Sequence, residues 1–285
     1  MGDKRIAPLL THFEPLGQDR FRLPASREPI ERLFGGRVLA QALSAAQQTV
    51  TDDRTAHSCH AYFVRPGRVD LPLLFAVERD HDGRSFSTRR VEVHQDEALI
   101  LTLAASFHIA ERGPLQQSEM PDVPSPSDLP EQDAVIAAAL HAMPPHRVAF
   151  WERDIGIDFR AVEPFVTIAP PSAPARRAFW FRFRERAGDS LAEHQRLLAY
   201  ASDLYLMHTG LLPLGMSWSD PELQDASLDH ALWFHQPFRA DEWLLYTMDS
   251  PFTGLGRTLA RGTFFAPDGR LVASVCQEGL IRLRD

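Results

Sequence analysis

A single carboxylate stands inside one of the most apolar stretches of this 285-residue chain. Between Leu197 and Met207 the only charged side chain is that of Asp203. Burial of a carboxylate costs several kcal/mol unless hydrogen bonds or a counter-charge compensate. Asp203 is therefore either an active-site group with a perturbed pKa or a structural aspartate held by hydroxyls such as those of Ser202 and Tyr205. The residue types alone leave both interpretations open.

A second polar side chain interrupts an apolar strand pattern later in the chain. Gln277 falls on the same face as Ala273, Val275 and Gly279, because successive side chains of a strand alternate between faces. An uncharged amide can accept and donate hydrogen bonds at once, which suits it to hold a water molecule against a base. A polar residue on an edge strand is the alternative interpretation.

Other catalytic arrangements find little support in the residue types. Residues 80–83, Asp-His-Asp-Gly, match the start of a calcium loop but lack the glutamate near its end, and a hairpin turn explains them. His57 and His60 are an odd number of positions apart, as are His230 and His235, so each pair points to opposite faces of a strand. The chain also has no Gly-x-Ser-x-Gly motif. We therefore predict no metal site, no cofactor and no covalent enzyme intermediate.

Composition and charge narrow the possible partners. Thirty Lys and Arg against 38 Asp and Glu give a net charge of −8, which disfavours general binding of nucleic acid. Two cysteines, Cys59 and Cys276, cannot form a disulfide framework and fit a reducing compartment. Apolar runs are too short to cross a bilayer, and the first residues lack the apolar core of a signal peptide. We expect a cytoplasmic protein with no nucleic-acid partner and no membrane insertion.

Proline marks a boundary in the middle of the chain. Seven of the 22 prolines fall within residues 113–146, and such density predicts a semi-rigid connector with at most a short helix over 131–143. The sequence thus divides into a first half at 1–112, the connector, and a second half at 147–285.

Both halves repeat one order of elements. In the first, an apolar helix that begins at Gly35-Gly36 precedes four predicted strands, at 59–64, 73–79, 85–94 and 99–109. In the second, a strand at 178–185 and a helix over 192–208 precede strands at 227–235, 243–249, 257–265 and 271–282. This order predicts a duplicated α+β domain.

The spacing of particular residues supports the duplication. An offset of 171 aligns Phe63 with Phe234, while an offset of 159 between the helices places Ser44 at the position of Asp203. Ala105 corresponds to Gln277 at an offset of 172. The first half therefore lacks the polar pair, which predicts a structural half that helps to form the ligand pocket and one active site per chain. We also expect each half to cover the outer face of the other half's sheet.

Six motifs in family order resemble those of the bacterial acyl-CoA thioesterase II family (TesB-like). They are FGGRVLAQA at 34–42, HAYFVRPG at 60–67, DGRSFSTRR at 82–90, YASDL at 200–204, LDHALWFH at 228–235 and VASVCQEG at 272–279. The resemblance spans both halves and implies a double hot-dog fold, an α+β architecture in which two antiparallel sheets each wrap one helix. It implies hydrolysis of acyl-CoA thioesters, with acyl-CoA as the partner.

The resemblance also assigns three catalytic positions. It places the family's aspartate at Asp203, its glutamine at Gln277 and a hydroxyl residue, often threonine, at Ser227. Asp203 would take a proton from a water held by Ser227 and Gln277, and backbone N–H groups near a helix start would stabilise the oxyanion. Serine keeps the hydroxyl but loses the methyl group, which loosens its placement. A serine that merely begins a strand is the alternative interpretation.

Five further residues are candidates for binding the coenzyme A part of the substrate. They are Gly35, Gly36, Arg84, Arg89 and Arg90. Glycines at a helix start admit a ligand phosphate or another backbone, although helix–sheet packing is the commoner reason for them. For the three arginines, the alternative to phosphate binding is a position on a solvated strand face.

Two rival functions compete with hydrolysis. A hot-dog enoyl-CoA hydratase would use Asp203 with His208, but Asn-Pro is missing between them, and five positions on one helix turn side chains about 140° apart. The second rival is a non-catalytic acyl-CoA sensor. Because a sensor would need no base, the presence of Asp203 in an apolar run argues against it. Within the hydrolase interpretation we expect a medium-to-long acyl range and a homo-oligomer, either a dimer or a tetramer.

Overall fold

The computed structural model describes residues 10–26, 32–131, 155–163, 171–218 and 220–284. Within them, helices α1 (Gly35–Gln47) and α2 (Leu191–Ser202) pack on a 13-stranded sheet. The strands are β1 (Glu14–Gly17), β2 (Arg20–Leu23), β3 (Arg54–Phe63), β4 (Leu73–Asp82), β5 (Phe86–Gln95), β6 (Ala98–Ile109), β7 (Ile157–Ala161), β8 (Arg176–Phe183), β9 (Leu223–Ser227), β10 (Asp229–Phe234), β11 (Leu244–Gly254), β12 (Arg257–Phe265) and β13 (Leu271–Leu283).

The two halves share one continuous antiparallel sheet. Its order is β1-β2-β4-β5-β6-β3-β10-β13-β12-β11-β8-β7, with β9 paired to β13. Strands β3 and β10 join the halves, and His60 lies opposite Ala231, 171 positions further along. That separation equals the offset that aligns Phe63 with Phe234, so the junction lies on the axis that relates the two repeats.

Helix α1 lies on the inner face of the first half's sheet, and α2 packs against α1 and β3. One buried core joins Leu197 of α2 to Leu232 and Tyr246 of the second half's strands. Helix α1 is buried from Gly36 to Ala46, as expected for a run rich in alanine with hardly a charge. Small side chains let α1 approach α2 closely, and one apolar core includes Leu39 and Leu43 from α1 with Leu197 and Leu198 from α2. The prediction of a double hot-dog α+β fold is confirmed. None of the described helices is long and apolar enough to cross a membrane.

The halves meet differently from what we expected. In the part of the chain that the structure describes, they join through a sheet edge and through their helices, and neither half covers the outer face of the other's sheet. Part of that face in the second half is covered by the connector, which packs Met120 and Val123 against Trp180. The indole of Trp180 donates to the carbonyl of Pro124 at 2.9 Å. The short helix expected at 131–143 lies, beyond Glu131, outside the described residues.

Helix α2 is shorter than the helix predicted over 192–208. It ends at Ser202, Asp203 is its C-cap, and Tyr205 takes the left-handed conformation with φ of 65°. A 3-10 helix, Met207–Leu214, then follows. Asp203 therefore lies at the end of the helix, where the chain turns away, and not inside it.

Several strands also differ from the predicted set. Strands β1, β2 and β7 have no predicted counterpart, and the single strand expected over 227–235 is divided at Leu228 into β9 and β10. The Asp229 carboxylate accepts a hydrogen bond from the N–H of Glu278 at 2.6 Å at this break. The side chain thereby takes the place of a regular backbone partner.

Residues 1–112 expressed alone are expected to self-associate. Removal of the second half exposes the β3 edge and the face of α1 that packs on α2, and unpaired strands with apolar surface promote association. Size-exclusion chromatography with light scattering, together with circular dichroism, measures this. A folded monomer over residues 1–112 would contradict the duplicated-domain account.

Candidate active site

The three predicted catalytic side chains meet at the C-terminal end of α2. Gln277 donates through Nε2 to Oδ1 of Asp203 at 2.5 Å and to Oγ of Ser227 at 2.9 Å. Ser227 Oγ donates to the same Asp203 oxygen at 3.2 Å. The other carboxylate oxygen, Oδ2, accepts the backbone N–H of Gly36 at 2.7 Å. One carboxylate thus has hydrogen-bond donors from both halves.

Strand pairing brings Ser227 and Gln277 to the aspartate. Ser227 ends β9 opposite Gly279 of β13, and Gln277 precedes that glycine by two positions on the same inner face. A Cβ atom at Gly279 would lie 2.4 Å from Cε of Met207, so the chain after α2 passes closely over β13 at this glycine. The apolar strand pattern that singled out Gln277 reflects this inward orientation.

Burial sets the acidity of Asp203. Its side chain is only 5% exposed, and desolvation raises its pKa from 3.8 to about 6, against the lowering effect of hydrogen bonds from Gln277, Gly36 and Ser227. A carboxylate with this pKa is ionised at neutral pH and can accept a proton more readily than an exposed one. The arrangement therefore suits a general base.

The Gly35-Gly36 pair lies against the end of α2. A Cβ atom on Gly36 would come within 2.4 Å of the carbonyl oxygen of Tyr200, and one on Gly35 within 2.7 Å of Asp203 Oδ2. Close approach between the helices of the two halves thus accounts for Gly36, while Gly35 also packs closely on the ring of Phe63 in β3, at 3.3 Å from where its Cβ would lie. The positive end of the α1 dipole faces the carboxylate and favours its ionised form.

Sequence reasoning missed this contribution of the first half. The hydrogen bond comes from a backbone N–H, which no residue type reveals. One signal was present: the N-cap of α1 is Phe34, whose side chain makes no capping hydrogen bond. A helix start that lacks a capping side chain leaves its first N–H groups in need of acceptors from elsewhere.

The arginines proposed for coenzyme A phosphates occupy different environments. Arg89 is buried, and its guanidinium donates to Thr49 Oγ1 at 2.8 Å and pairs with Asp82 at 2.7 Å. This corrects its assignment, because its donors are already used inside the protein. Arg90 is exposed and pairs with Asp80 across the hairpin at 2.8 Å. Arg84 is exposed.

The opposite end of the helix pair carries the counterpart of this site. There Gln47 Nε2 donates to the carbonyl oxygen of Ala192, the second residue of α2, at 3.3 Å, as Gly36, the second residue of α1, contacts Asp203. Gln47, and not the Ser44 of the sequence alignment, therefore occupies the place of Asp203. In the first half, Ala105 lies opposite Cys59 in the sheet. The 171-residue offset relates Cys59 to His230, which lies beside Gln277, so Ala105 occupies the position of Gln277. A glutamine and an alanine cannot supply a carboxylate such as that of Asp203 in the second half.

Two neighbouring histidines differ in their relation to Asp203. His208 Nε2 lies 2.8 Å from Asp225 Oδ2, so its ring is held by another carboxylate. His230 is fully buried, with Nδ1 at 4.0 Å from Asp203 Oδ1 and Nε2 at 2.8 Å from Ser202 Oγ. Sequence reasoning considered His230 only as a metal ligand. Among the described residues, no group of three His, Cys, Asp or Glu side chains could hold a metal ion.

Two family models together cover most of the chain. The model described as acyl-CoA thioesterase N-terminal domain matches residues 23–108, and the model described as acyl-CoA thioesterase C-terminal domain matches residues 122–281. The second match begins within the proline-rich segment.

Full-length relatives agree with these models. Human acyl-coenzyme A thioesterase 8 is 37% identical over 99% of this chain and 91% of its own length. Acyl-CoA thioesterase 2 of Haemophilus influenzae is 34% identical over 97% of this chain and 96% of its own. The crystal structure of acyl-CoA thioesterase II TesB2 from Mycobacterium marinum superposes with a TM-score of 0.80 at 37% identity, with 99% of each chain covered. The chain described here thus belongs to the acyl-CoA thioesterase II family and is an acyl-CoA thioesterase.

Proposed function

We propose that Asp203 activates a water molecule for direct attack on the thioester carbonyl of a medium- or long-chain acyl-CoA, with Ser227 and Gln277 as its partners. The observation that carries this proposal is the buried Asp203 carboxylate, on which Ser227, Gln277 and the Gly36 N–H converge. No other described carboxylate has its pKa raised by burial to a value near neutrality.

The proposed reaction conserves every atom without a covalent enzyme intermediate. Asp203 takes one proton from water as the water oxygen bonds to the carbonyl carbon. The carbon–sulfur bond then breaks, and coenzyme A leaves as a thiol after the proton returns from Asp203 to sulfur. Gln277 and Ser227 both contact the same carboxylate oxygen, Oδ1 of Asp203, and would hold the water beside it.

The oxyanion would be stabilised by backbone N–H groups near the start of α1, but Gly36 is not one of them. Its N–H donates to Asp203 Oδ2 at 2.7 Å and is therefore occupied. The N–H of Arg37 points along the helix start to the carbonyl of Phe34 at 3.1 Å. The N–H of Gly35 is the remaining candidate at this position.

Catalysis is expected to depend on pH through the ionisation of Asp203. Because a base must be deprotonated to act, and burial raises the pKa of Asp203 to about 6, kcat/KM should rise with pH through about 6 and level off above it. Initial rates of thiol release, measured over a range of acyl-CoA concentrations at each pH between 4.5 and 8, give kcat/KM as a function of pH. An activity that stays constant from pH 8 to pH 4.5 would exclude Asp203 as the base.

Acyl-chain preference tests the substrate range of the proposal. Decanoyl- and palmitoyl-CoA are expected to have higher kcat/KM than acetyl-CoA, since the chain is rich in apolar residues and the sequence offers no charged acyl selector. A panel of acyl-CoAs with a thiol reagent measures this directly. A clear preference for a short or dicarboxylic acyl group would contradict the proposed range.

The rival functions have less support. A hydratase would need His208 as a partner of Asp203, yet Asp225 holds that imidazole. A sensor would gain nothing from the Asp203 carboxylate, because burial makes its ionisation unfavourable. The division at 112 and 146, coenzyme A contacts from Arg84 or Arg90, a cytoplasmic location and assembly into a dimer or tetramer stay predictions.

A further inference from the structure

Ser202 and His230 form a buried hydrogen-bonded pair beside Asp203. Ser202 Oγ lies 3.0 Å from the carbonyl oxygen of Ala199 and 2.8 Å from Nε2 of His230. A carbonyl oxygen can only accept, so the one hydroxyl proton of Ser202 is donated to Ala199. Towards His230 the hydroxyl oxygen must therefore accept, which places the imidazole proton on Nε2.

The other ring nitrogen of His230 is consequently a lone pair. The ring is neutral, because complete burial lowers its pKa to about 3. With the proton on Nε2, Nδ1 can only accept a hydrogen bond. Nδ1 is buried and has no hydrogen-bond partner among the described residues, and it faces Asp203 Oδ1 at 4.0 Å. Two acceptors thus face each other across a distance too long for direct bonding.

We propose that His230 positions the attacking water: its Nδ1 lone pair accepts one hydrogen of the water while Asp203 takes the other. This inference rests on the proposed function of Asp203. A water oxygen about 2.8 Å from each of two acceptors that lie 4.0 Å apart makes an angle of roughly 90° with them, near the angle between its two O–H bonds. His230 would thus fix the direction of the water lone pair that attacks the carbonyl carbon.

Ser202 acts in this scheme through the histidine. If Nδ1 carried the proton, its N–H would face Asp203 Oδ1 from 4.0 Å, favour the ionised carboxylate electrostatically and weaken it as a base. The hydroxyl of Ser202 prevents this by holding the proton on Nε2. Tyr246, whose hydroxyl donates to the carbonyl oxygen of Ser202 at 2.8 Å, secures the same helix end.

Two variants separate this role from simple packing. His230→Gln keeps a side-chain amide that can reach Ser202 but has no acceptor at the Nδ1 position, and it is expected to lower kcat roughly tenfold with KM little changed. Ser202→Ala frees the imidazole proton to move to Nδ1. It is expected to lower kcat by a similar factor and to shift the acid limb of the pH profile to lower pH. The other titratable groups that face Asp203, His208 and Tyr246, are unchanged in both variants.

The measurements are kcat, KM and the pH profile with decanoyl-CoA, with circular dichroism and thermal unfolding to verify folding. Either folded variant with wild-type kcat and an unmoved acid limb would overturn the role of His230, and the Ser202→Ala profile decides if His230→Gln fails to fold. Asp203→Asn is measured alongside. If it is inactive while His230→Gln is fully active, only this inference fails; if it is fully active, the proposed function fails.

Discussion

An Asp203→Asn variant is expected to lose nearly all turnover while it keeps the fold. Asparagine is almost isosteric and retains an oxygen for the Gly36 N–H, which donates to Oδ2 at 2.7 Å in the wild-type protein. The Gln277 amide can turn so that its oxygen faces the new NH₂ group. Only the basicity is lost, and a general base contributes roughly 10² to 10⁴ to the rate. The readout is kcat, with KM expected to change much less.

Stability measurements control for damage to the fold. Burial raises the pKa of Asp203 from 3.8 to about 6, so ionisation costs the folded state roughly 3 kcal/mol once the pH exceeds 6. For a carboxyl group with a raised pKa, the stabilising contribution is present below the unfolded value and is lost as the pH rises through about 6. Asp203→Asn should therefore gain stability relative to wild type between pH 4 and pH 8.

The partner residues should give graded losses. Gln277→Ala is expected to lower kcat by an order similar to that of Asp203→Asn, and Ser227→Ala by less, because its hydrogen bond to Asp203 is the longer one at 3.2 Å. The double variant of Asp203 and Gln277 should lose far less than the product of the single losses, since both side chains act on one water. Full turnover in Asp203→Asn would make the buried carboxylate structural and refute its catalytic role.

A Gly36→Ala variant is expected to damage both activity and stability. Its Cβ would lie 2.4 Å from the carbonyl oxygen of Tyr200 and 3.0 Å from Cβ of Asp203. Backbone cannot move aside as a flexible side chain can, so the start of α1 and the end of α2 must separate. Overpacking of this kind costs about 1–3 kcal/mol, and the lost hydrogen bond to Asp203 should lower kcat by roughly tenfold or more.

Gly113→Ala is the matched control, because a Cβ atom there would meet nothing within 4 Å. Thermal unfolding and kcat are measured for both variants. Gly113→Ala should behave as wild type. Wild-type kcat and stability in Gly36→Ala would contradict the conclusion that both halves build one site.

Asp203 and Gln277 could be found from the sequence because each is a polar residue in an otherwise apolar element. Duplication was also visible, since the 171-residue offset between Phe63 and Phe234 reappears in the β3–β10 register. Both features follow from local burial patterns, which hydrophobic periodicity records.

The end of α2 could not be found in this way. Helix-forming residues continue to Met207, but the chain leaves the helix at Ser202 and Tyr205 adopts a left-handed conformation. Tertiary packing overrides local propensity here. The Gly36 hydrogen bond is also invisible, because a backbone donor has no side-chain signature. The burial of Arg89 could be predicted from the sequence. Arg89 shares a strand face with Val91 and Val93, so strand alternation places it inside.

The central claim is that Asp203 acts as a base on water and not as a nucleophile on the thioester. The most direct test is repeated turnover of decanoyl-CoA in water enriched in the heavy oxygen isotope, followed by mass spectrometry of the fatty acid and of the peptide that contains Asp203. Direct attack by water predicts that the heavy oxygen enters the fatty acid and that the Asp203 peptide keeps its natural mass. Heavy oxygen in the Asp203 carboxylate would show that an acyl-aspartate had formed, and it would contradict the account.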